Sequence, residues 1–320
     1  MKCIIITGVA GFIGHSLAKH FLNKGVAIVG IDNMIANTEE ILNIKTLRLK
    51  ELSCYSNFSF IQIDIKEVSA DTFCNYTNII ALVHLAANAG IKESKNNSRL
   101  YIENNIVGFN NIIELSYSMN IGHFIYASSS SVYGDSRNKS NATNELLSPK
   151  SIYAITKYVD ELIANLYSTN YNLKTTGLRF FSVYGPYGRP DMAPWIFAKS
   201  ILNHRKINLS NNGYVFRDFT YIDDIVHAIA MIIEKPRNSA FAVYDIGASQ
   251  PHSLLELIHN IELEYSSDAN YISTPLLKEE AAYTIADMTP FNMTYGCLDI
   301  TSFSNGISNF CKWYKEVIHK

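Results

Sequence analysis

The chain has 320 residues, 48% of them hydrophobic and 18% charged, with a formal net charge of -2. That length exceeds what one hydrophobic core usually supports and favours two domains, or one domain with a smaller lobe. The near-neutral balance leaves no electrostatic footprint for nucleic acid or an anionic membrane, so any anionic ligand must be held by local groups.

The first segment, Met1-Lys-Cys-Ile-Ile-Ile-Thr-Gly8, runs directly into a glycine loop and lacks the apolar length and cleavage site of a signal peptide. No window approaches the roughly 18 uninterrupted apolar residues that span a bilayer. Cys3, Cys54, Cys74, Cys297 and Cys311 are odd in number, scattered and without C-x-x-C spacing, so neither a disulfide framework nor a metal site is expected. These features predict a cytoplasmic, reduced protein without a membrane or nucleic-acid partner.

An apolar strand over Cys3–Ile6 leads into Gly8-Val-Ala-Gly11-Phe-Ile-Gly14, and a helix is predicted from about Phe12. Strand, glycine turn and helix N-terminus together form a phosphate-binding unit, because glycines permit close backbone approach and the helix end attracts a pyrophosphate. The spacing is G-x-x-G-x-x-G. Asp32 closes the second strand, eighteen residues beyond Gly14. An acid there accepts hydrogen bonds from adenosine ribose hydroxyls and repels a 2′-phosphate, which favours NAD over NADP. Asp64 ends the third strand and suits either the adenine edge or an ordinary helix N-cap.

Further short apolar runs over Phe58–Ile63, Ile79–Leu85, His123–Ala127 and Thr175–Phe180 read as strands buried on both faces, alternating with crossover helices. The fold class is therefore α/β, a Rossmann-type doubly wound parallel sheet with a smaller C-terminal α/β lobe. Residues 1–179 form the predicted cofactor domain, with 217–246 returning to it; 180–216 and 247–320 form the predicted substrate lobe. Residues 135–144 are expected to be an exposed loop.

Tyr153 and Lys157 stand four residues apart on a predicted helix, hence on one face. A phenol titrates near about 10 and serves as a base at neutral pH only beside a cation and a hydrogen-bonding partner. That spacing makes Tyr153 a candidate proton shuttle.

With both motifs in place, the chain resembles the extended short-chain dehydrogenase/reductases that act on nucleotide sugars. The matching pieces are Thr7–Gly14, His84-Leu-Ala-Ala-Asn-Ala-Gly90, Asn105 with Gly108, Ala127-Ser-Ser-Ser-Ser-Val-Tyr-Gly134, Tyr153 with Lys157, and Arg217-Asp-Phe-Thr-Tyr-Ile-Asp-Asp224. The resemblance implies Ser129 as the third catalytic group beside Tyr153 and Lys157. It also implies an NAD pocket that includes Phe12, Ile13, Asn33, Ile65, Leu85, Ala86, Ala87, Asn105, Phe181 and Val183. Nucleotide-sugar dehydratases of this kind carry Asp-Glu where this chain has Ser130-Ser131, and two hydroxyls do not replace that acid/base pair.

The run Tyr184-Gly-Pro-Tyr-Gly-Arg-Pro-Asp-Met-Ala193 is similar to the hallmark of UDP-glucuronate 4-epimerases. By that resemblance Ser182 and the fork of Arg189 bind a sugar carboxylate, Arg217 grips the diphosphate, and Ser130, Ser131 and Lys92 line the sugar site. The expected reaction oxidises sugar carbon 4 to a ketone and reduces it from the opposite face. Epimerisation of a neutral or N-acetylated UDP-hexose or of an acetamido uronic acid, decarboxylation of UDP-glucuronate, and a non-catalytic NAD sensor are the alternatives. Lys92 and Glu93 stand where relatives often have arginine and an aromatic, and Glu279-Glu280 where they have Gly-Asp. Family members commonly pair as homodimers through two helices per subunit, here residues 100–118 and 153–170.

Overall fold

Seven short runs of β-branched and apolar residues build one parallel sheet. In chain order they are β1 (Cys3–Thr7), β2 (Ala27–Asp32), β3 (Phe58–Gln62), β4 (Ile79–His84), β5 (Phe124–Ser129), β6 (Thr175–Phe180) and the strand Phe241–Ile246. The sheet runs from Phe241–Ile246 through β6, β5, β4, β1 and β2 to β3, every neighbouring pair parallel. This is the α/β Rossmann-type sheet expected from the sequence. The computed structural model describes residues 2–134, 147–237, 239–276 and 280–319. The loop predicted at 135–144 and the residue Glu279 lie outside the described residues.

Side chains alternate across each strand, so the sheet has two apolar layers. Ile4 and Ile6 face Leu17 and Phe21 of α1 (Phe12–Asn23) and Ile225 and Ile229 of the helix Ile222–Glu234. Ile5 and Leu82 face the opposite layer with Phe109, Ile112 and Ala164. On the first side lies α2 (Glu39–Leu52). On the second lie α5 (Gly108–Ser118) and α6 (Ile152–Tyr171), reached after two short helices, α3 (Ile91–Asn96) and α4 (Ser98–Ile102), and one π-helical turn over Glu103–Val107. Ser151 caps α6 by accepting from the Ala154 amide at 3.1 Å, so the helix starts at Ile152, one residue before Tyr153.

Winding reverses between β1 and β4, adjacent strands whose carboxyl ends therefore frame a crevice. The later chain adds a three-stranded sheet of Ser182–Tyr184, Phe216–Tyr221 and Pro251–Ser253, and a parallel pair of Lys206–Ser210 with Asn270–Thr274. Buried Asp218 organises this region. Its carboxylate accepts from the amides of Ala248 at 2.9 Å, Ser249 at 3.0 Å and Ala286 at 2.8 Å.

Within the main sheet Gly177 of β6 lies opposite Tyr126 of β5, and a Cβ at Gly177 would sit 2.5 Å from the Tyr126 hydroxyl oxygen. That hydroxyl is buried without a hydrogen-bond partner among the described residues. Gly177→Ala is expected to cost about 1–3 kcal/mol through overpacking. Tyr126→Phe should be neutral or stabilising, because it removes an unpaired polar atom. Urea unfolding of the single and double variants checks this: the alanine must cost less in the Tyr126→Phe background.

Candidate active site

The glycine turn is shaped by backbone contact. Gly8 has φ +71°, and a Cβ there would lie 2.8 Å from the Ala86 amide nitrogen; the Cβ of residue 11 would lie 2.8 Å from the Gly8 carbonyl, and Gly14 backs onto the same oxygen. No side chain caps α1, and its first turn holds no acid. A positive helix end thus opens onto a cradle without side chains, which fits a dinucleotide pyrophosphate. Asp32 ends β2 beside it, 6% exposed, accepting from Ala10 at 3.2 Å and Met34 at 2.9 Å and pairing with Lys45 at 2.7 Å. Asn33 donates to Asp64 at 3.2 Å, so these two ends of β2 and β3 are tied together.

At the end of β4, Thr7 Oγ1 receives the Leu85 and Ala86 amides, each at 3.2 Å, and meets His84 Nδ1 at 2.8 Å. Asn105, in the π-helical turn, accepts from the Asn88 amide at 2.8 Å and donates to the Asn88 carbonyl at 3.0 Å and to Thr156 Oγ1 at 3.0 Å. One buried amide therefore fixes the 85–90 loop against α6. Ile65 packs on Gly108, where a Cβ would come within 2.5 Å of it. Phe12 and Phe181 are buried; Ile13 and Val183 are half-buried against the same core.

Ser129 is the last residue of β5, and its Oγ accepts from the Ser131 amide at 3.2 Å and the Ser131 hydroxyl at 2.9 Å. Ser130 is half-buried beside them. Tyr153 and Lys157 lie one turn apart at the start of α6. The Tyr153 ring meets Tyr101 edge to face at 6.3 Å. Lys157 is buried and pairs with Asp160 at 3.0 Å. Burial pushes the Asp160 carboxyl up to about 7 against the pull of Lys157. Ser128, Glu161, Arg179, Tyr133 and Asp245 form a buried chain behind this row: Arg179 grips Glu161 at 2.9 and 2.7 Å and donates to the Tyr133 hydroxyl at 2.6 Å, which donates to Asp245 at 2.7 Å.

Across the crevice, Ser182 opens a strand of the small sheet, and Arg189 follows a tight turn at Gly185–Gly188. Arg189 donates to both oxygens of Asp191, through Nε at 3.0 Å and Nη2, and to the Ala89 carbonyl at 3.3 Å. Its charge opposes the burial that pushes the Tyr101 phenol up to about 12. Arg217 donates to the Phe216 carbonyl at 3.1 Å. Burial lowers its pKa, while Glu280 opposes that shift. Lys92 pairs with Glu280 at 3.3 Å, joining α3 to the C-terminal region at two positions that depart from the expected motif. No helix among the described residues is long and apolar enough to cross a membrane.

The model of the NAD dependent epimerase/dehydratase family matches residues 4–247. The chain belongs to this family. Among its relatives, this epimerase/dehydratase is 38% identical to Protein CapI of Staphylococcus aureus, covering 99% of each chain, and 33% identical to a UDP-glucuronate 4-epimerase of Thermodesulfobacterium geofontis, covering 99% and 98%. It superposes with a TM-score of 0.92 on the crystal structure of UDP-glucuronic acid 4-epimerase from Bacillus cereus in complex with UDP-glucuronic acid and NAD, at 30% identity and 98% and 99% coverage.

Sequence reading passed over several members of this site. Asp160 had a signal, an acid at i+3 from Lys157, whereas Tyr101, Thr156 and Arg48 had none that spacing reveals. Arg48 is 3% exposed and reaches loops far along the chain.

His84 and His123 are buried, and burial drives each imidazole down to about 3 from the ordinary 6.5. The unfolded chain therefore takes up protons below about 6.5 that the folded protein refuses, and stability falls as pH drops from 6.5 toward 3. Between pH 7 and 5 each histidine is expected to remove about 2 kcal/mol. Urea unfolding of His123→Asn and His84→Asn at both pH values checks it: each variant should lose about 2 kcal/mol less than the wild type.

Proposed function

We propose that this epimerase/dehydratase is a UDP-glucuronate 4-epimerase, interconverting UDP-glucuronate and UDP-galacturonate. The observation that carries the reading is a guanidinium, Arg189, that reaches across the crevice to the Ala89 carbonyl, on the loop that Asn105 fastens to α6, the helix of Tyr153. A uronic acid needs a cation near the carbon that reacts.

NAD+, held along Gly8–Gly14 with Asp32 toward its ribose, supplies a reversible hydride acceptor when bound. Tyr153 takes the proton of the sugar hydroxyl, with Ser129 hydrogen-bonding the same oxygen and the Lys157 ammonium supporting the negative phenol oxygen. The proton returns from Tyr153 after the 4-keto sugar has turned over. Asp160 holds the buried Lys157 ammonium in place from one turn ahead, at 3.0 Å.

The 4-keto uronate is a β-keto acid and loses carbon dioxide if its carboxylate bond aligns with the carbonyl π system. Ser182, Ser130, Ser131 and Arg189 hold the carboxylate out of that alignment. Asp191 already fills two donors of the Arg189 fork, and Nη1 has no hydrogen-bond partner among the described residues. A substrate carboxylate adds at Nη1 or exchanges with Asp191, which a neutral sugar has no charge to do. In this reading Arg217 grips the diphosphate and Lys92 lines the sugar site. The cofactor domain is then 1–179 with the helix Ile222–Glu234 and the strand Phe241–Ile246 returning to it; 217–221, expected to return as well, pairs in the small sheet and goes with the sugar lobe of 180–216 and 247–320.

Proton NMR of UDP-glucuronate with the purified protein and NAD+ tests this reading. A UDP-galacturonate anomeric signal should grow to equilibrium without carbon dioxide release, and Tyr153→Phe should slow it by about 10²–10⁴-fold. Turnover of UDP-glucose or UDP-N-acetylglucosamine alone would overturn the choice of sugar.

The same reading makes the protein a cytoplasmic homodimer. Leu100, Ile102, Val107, Tyr117, Ile155, Leu162 and Leu166 are all at least two-fifths exposed along α4, α5 and α6 and the π-helical turn between them. Apolar surface so concentrated on paired helices favours a self-complementary partner. Light scattering should give twice the 36.0 kDa chain mass, and Leu162→Asp with Leu166→Asp should give the monomer.

A further inference from the structure

Arg48 of α2 is a buried cation without a carboxylate. It is 3% exposed, and its hydrogen bonds go to three backbone carbonyls: Nη1 to Ala10 at 2.9 Å, Nη2 to Tyr187 at 2.6 Å and Gly188 at 3.0 Å, and Nε again to Tyr187 at 3.2 Å. No ion pair is formed by Arg48 among the described residues. Burial, and then the like charge of Arg189, push its pKa down to about 9, with Asp32 pulling the other way. A buried cation without a carboxylate relies on its hydrogen bonds for compensation, and here all of them go to backbone carbonyls.

The carbonyls it holds belong to two different loops. Ala10 lies inside the glycine turn, and its amide donates to Asp32. Tyr187 and Gly188 lie in the turn that ends at Arg189. Gly185 there, at φ +141°, takes a conformation that suits glycine alone, and the turn is strained at Tyr187, a residue with a large side chain held at φ +61°. Such a conformation persists only when its surroundings over-determine it. The planar fork of arginine, with donors in fixed directions, can hold three carbonyls at once; a lysine ammonium lacks that reach.

We propose that Arg48 is a positioning residue that couples the cofactor loop to the sugar loop, so that occupation of the glycine cradle by NAD+ orders the Gly185–Met192 turn and sets Arg189 against the Ala89 carbonyl. This rests on the reading of the cradle as an NAD+ site and of Arg189 as the carboxylate ligand. The path is continuous: Asp32 to Ala10, Ala10 to Arg48, Arg48 to Tyr187 and Gly188, then Arg189 to the Ala89 carbonyl.

Hydrogen exchange read by mass spectrometry on the full-length protein, freed of bound nucleotide, tests the coupling without any turnover. In the wild type, saturating NAD+ should slow amide exchange about 10-fold or more both at residues 8–14 and at residues 185–192. In Arg48→Lys, NAD+ should still slow 8–14 and leave 185–192 unchanged; Arg48→Met should behave alike if it folds. Steady-state kinetics of Arg48→Lys should show the UDP-glucuronate KM raised about 10-fold with kcat within about 3-fold of wild type. Wild-type protein whose 185–192 segment ignores NAD+ would overturn the proposal, and so would Arg48→Lys protein that keeps the full NAD+ effect there. If UDP-glucuronate is not turned over by the wild type, the choice of substrate fails while the exchange result still decides the role of Arg48.

Discussion

Everything in the crevice depends on how closely β1 and β4 bring two pieces of backbone together. The Gly8 Cα faces the Leu85–Ala86 peptide with no room for a Cβ, and Thr7 Oγ1 receives the two amides that follow β4. That contact sets the depth of the cradle at the first loop and the position of the loop that carries Asn88 and Ala89. Asn88 is then fastened by Asn105 to α6, the helix of Tyr153 and Lys157, and Ala89 offers its carbonyl to Arg189. A side chain at residue 8 would separate the strands' ends and shift each of these groups in turn.

The charges buried around the crevice share one logic. Lys157 with Asp160, and Glu161 with Arg179, are pairs whose desolvation offsets most of their mutual attraction, so they add little stability. What they contribute is direction. Lys157 is held by the acid one turn ahead of it. Arg179, fixed at both ends of its fork, stacks over Tyr133 at 4.8 Å and passes the constraint to Asp245, which also accepts the Asp287 amide at 3.1 Å. The serine row after β5 is thus braced against the strand at the far edge of the sheet and against the C-terminal region.

Much of this was legible in the sequence because it is local. The strands announced themselves as short runs apolar on both faces, and six of the seven ends fell within a residue or two of the spans expected. The glycine turn, Asp32 and the Tyr153/Lys157 pair follow spacing rules of single elements. Phe216–Tyr221, expected to rejoin the main domain, pairs instead with Ser182–Tyr184 and Pro251–Ser253 in the small sheet, because its partners are chosen by contacts distant in sequence. Arg48 was invisible for the same reason: on its helix it is one basic residue among Lys45 and Lys50, and only its contacts 139 residues away distinguish it. Asp191, two residues beyond Arg189, was in plain view as part of the motif, but its hold on the guanidinium depends on the fold of the turn.

Arg189 shows why a carboxylate partner inside the protein helps rather than hinders selection. A free guanidinium in the crevice would attract any anion and would be costly to bury alone. Paired with Asp191 it is stable at rest, and a ligand gains from it only by presenting an equivalent charge in an equivalent geometry. On the proposed reading, discrimination comes from exchange of one carboxylate for another, with hydroxyl ligands left to the serines. The strained turn that carries Arg189 must hold its place during that exchange, and the carbonyl contacts from Arg48 are what the fold provides to hold it.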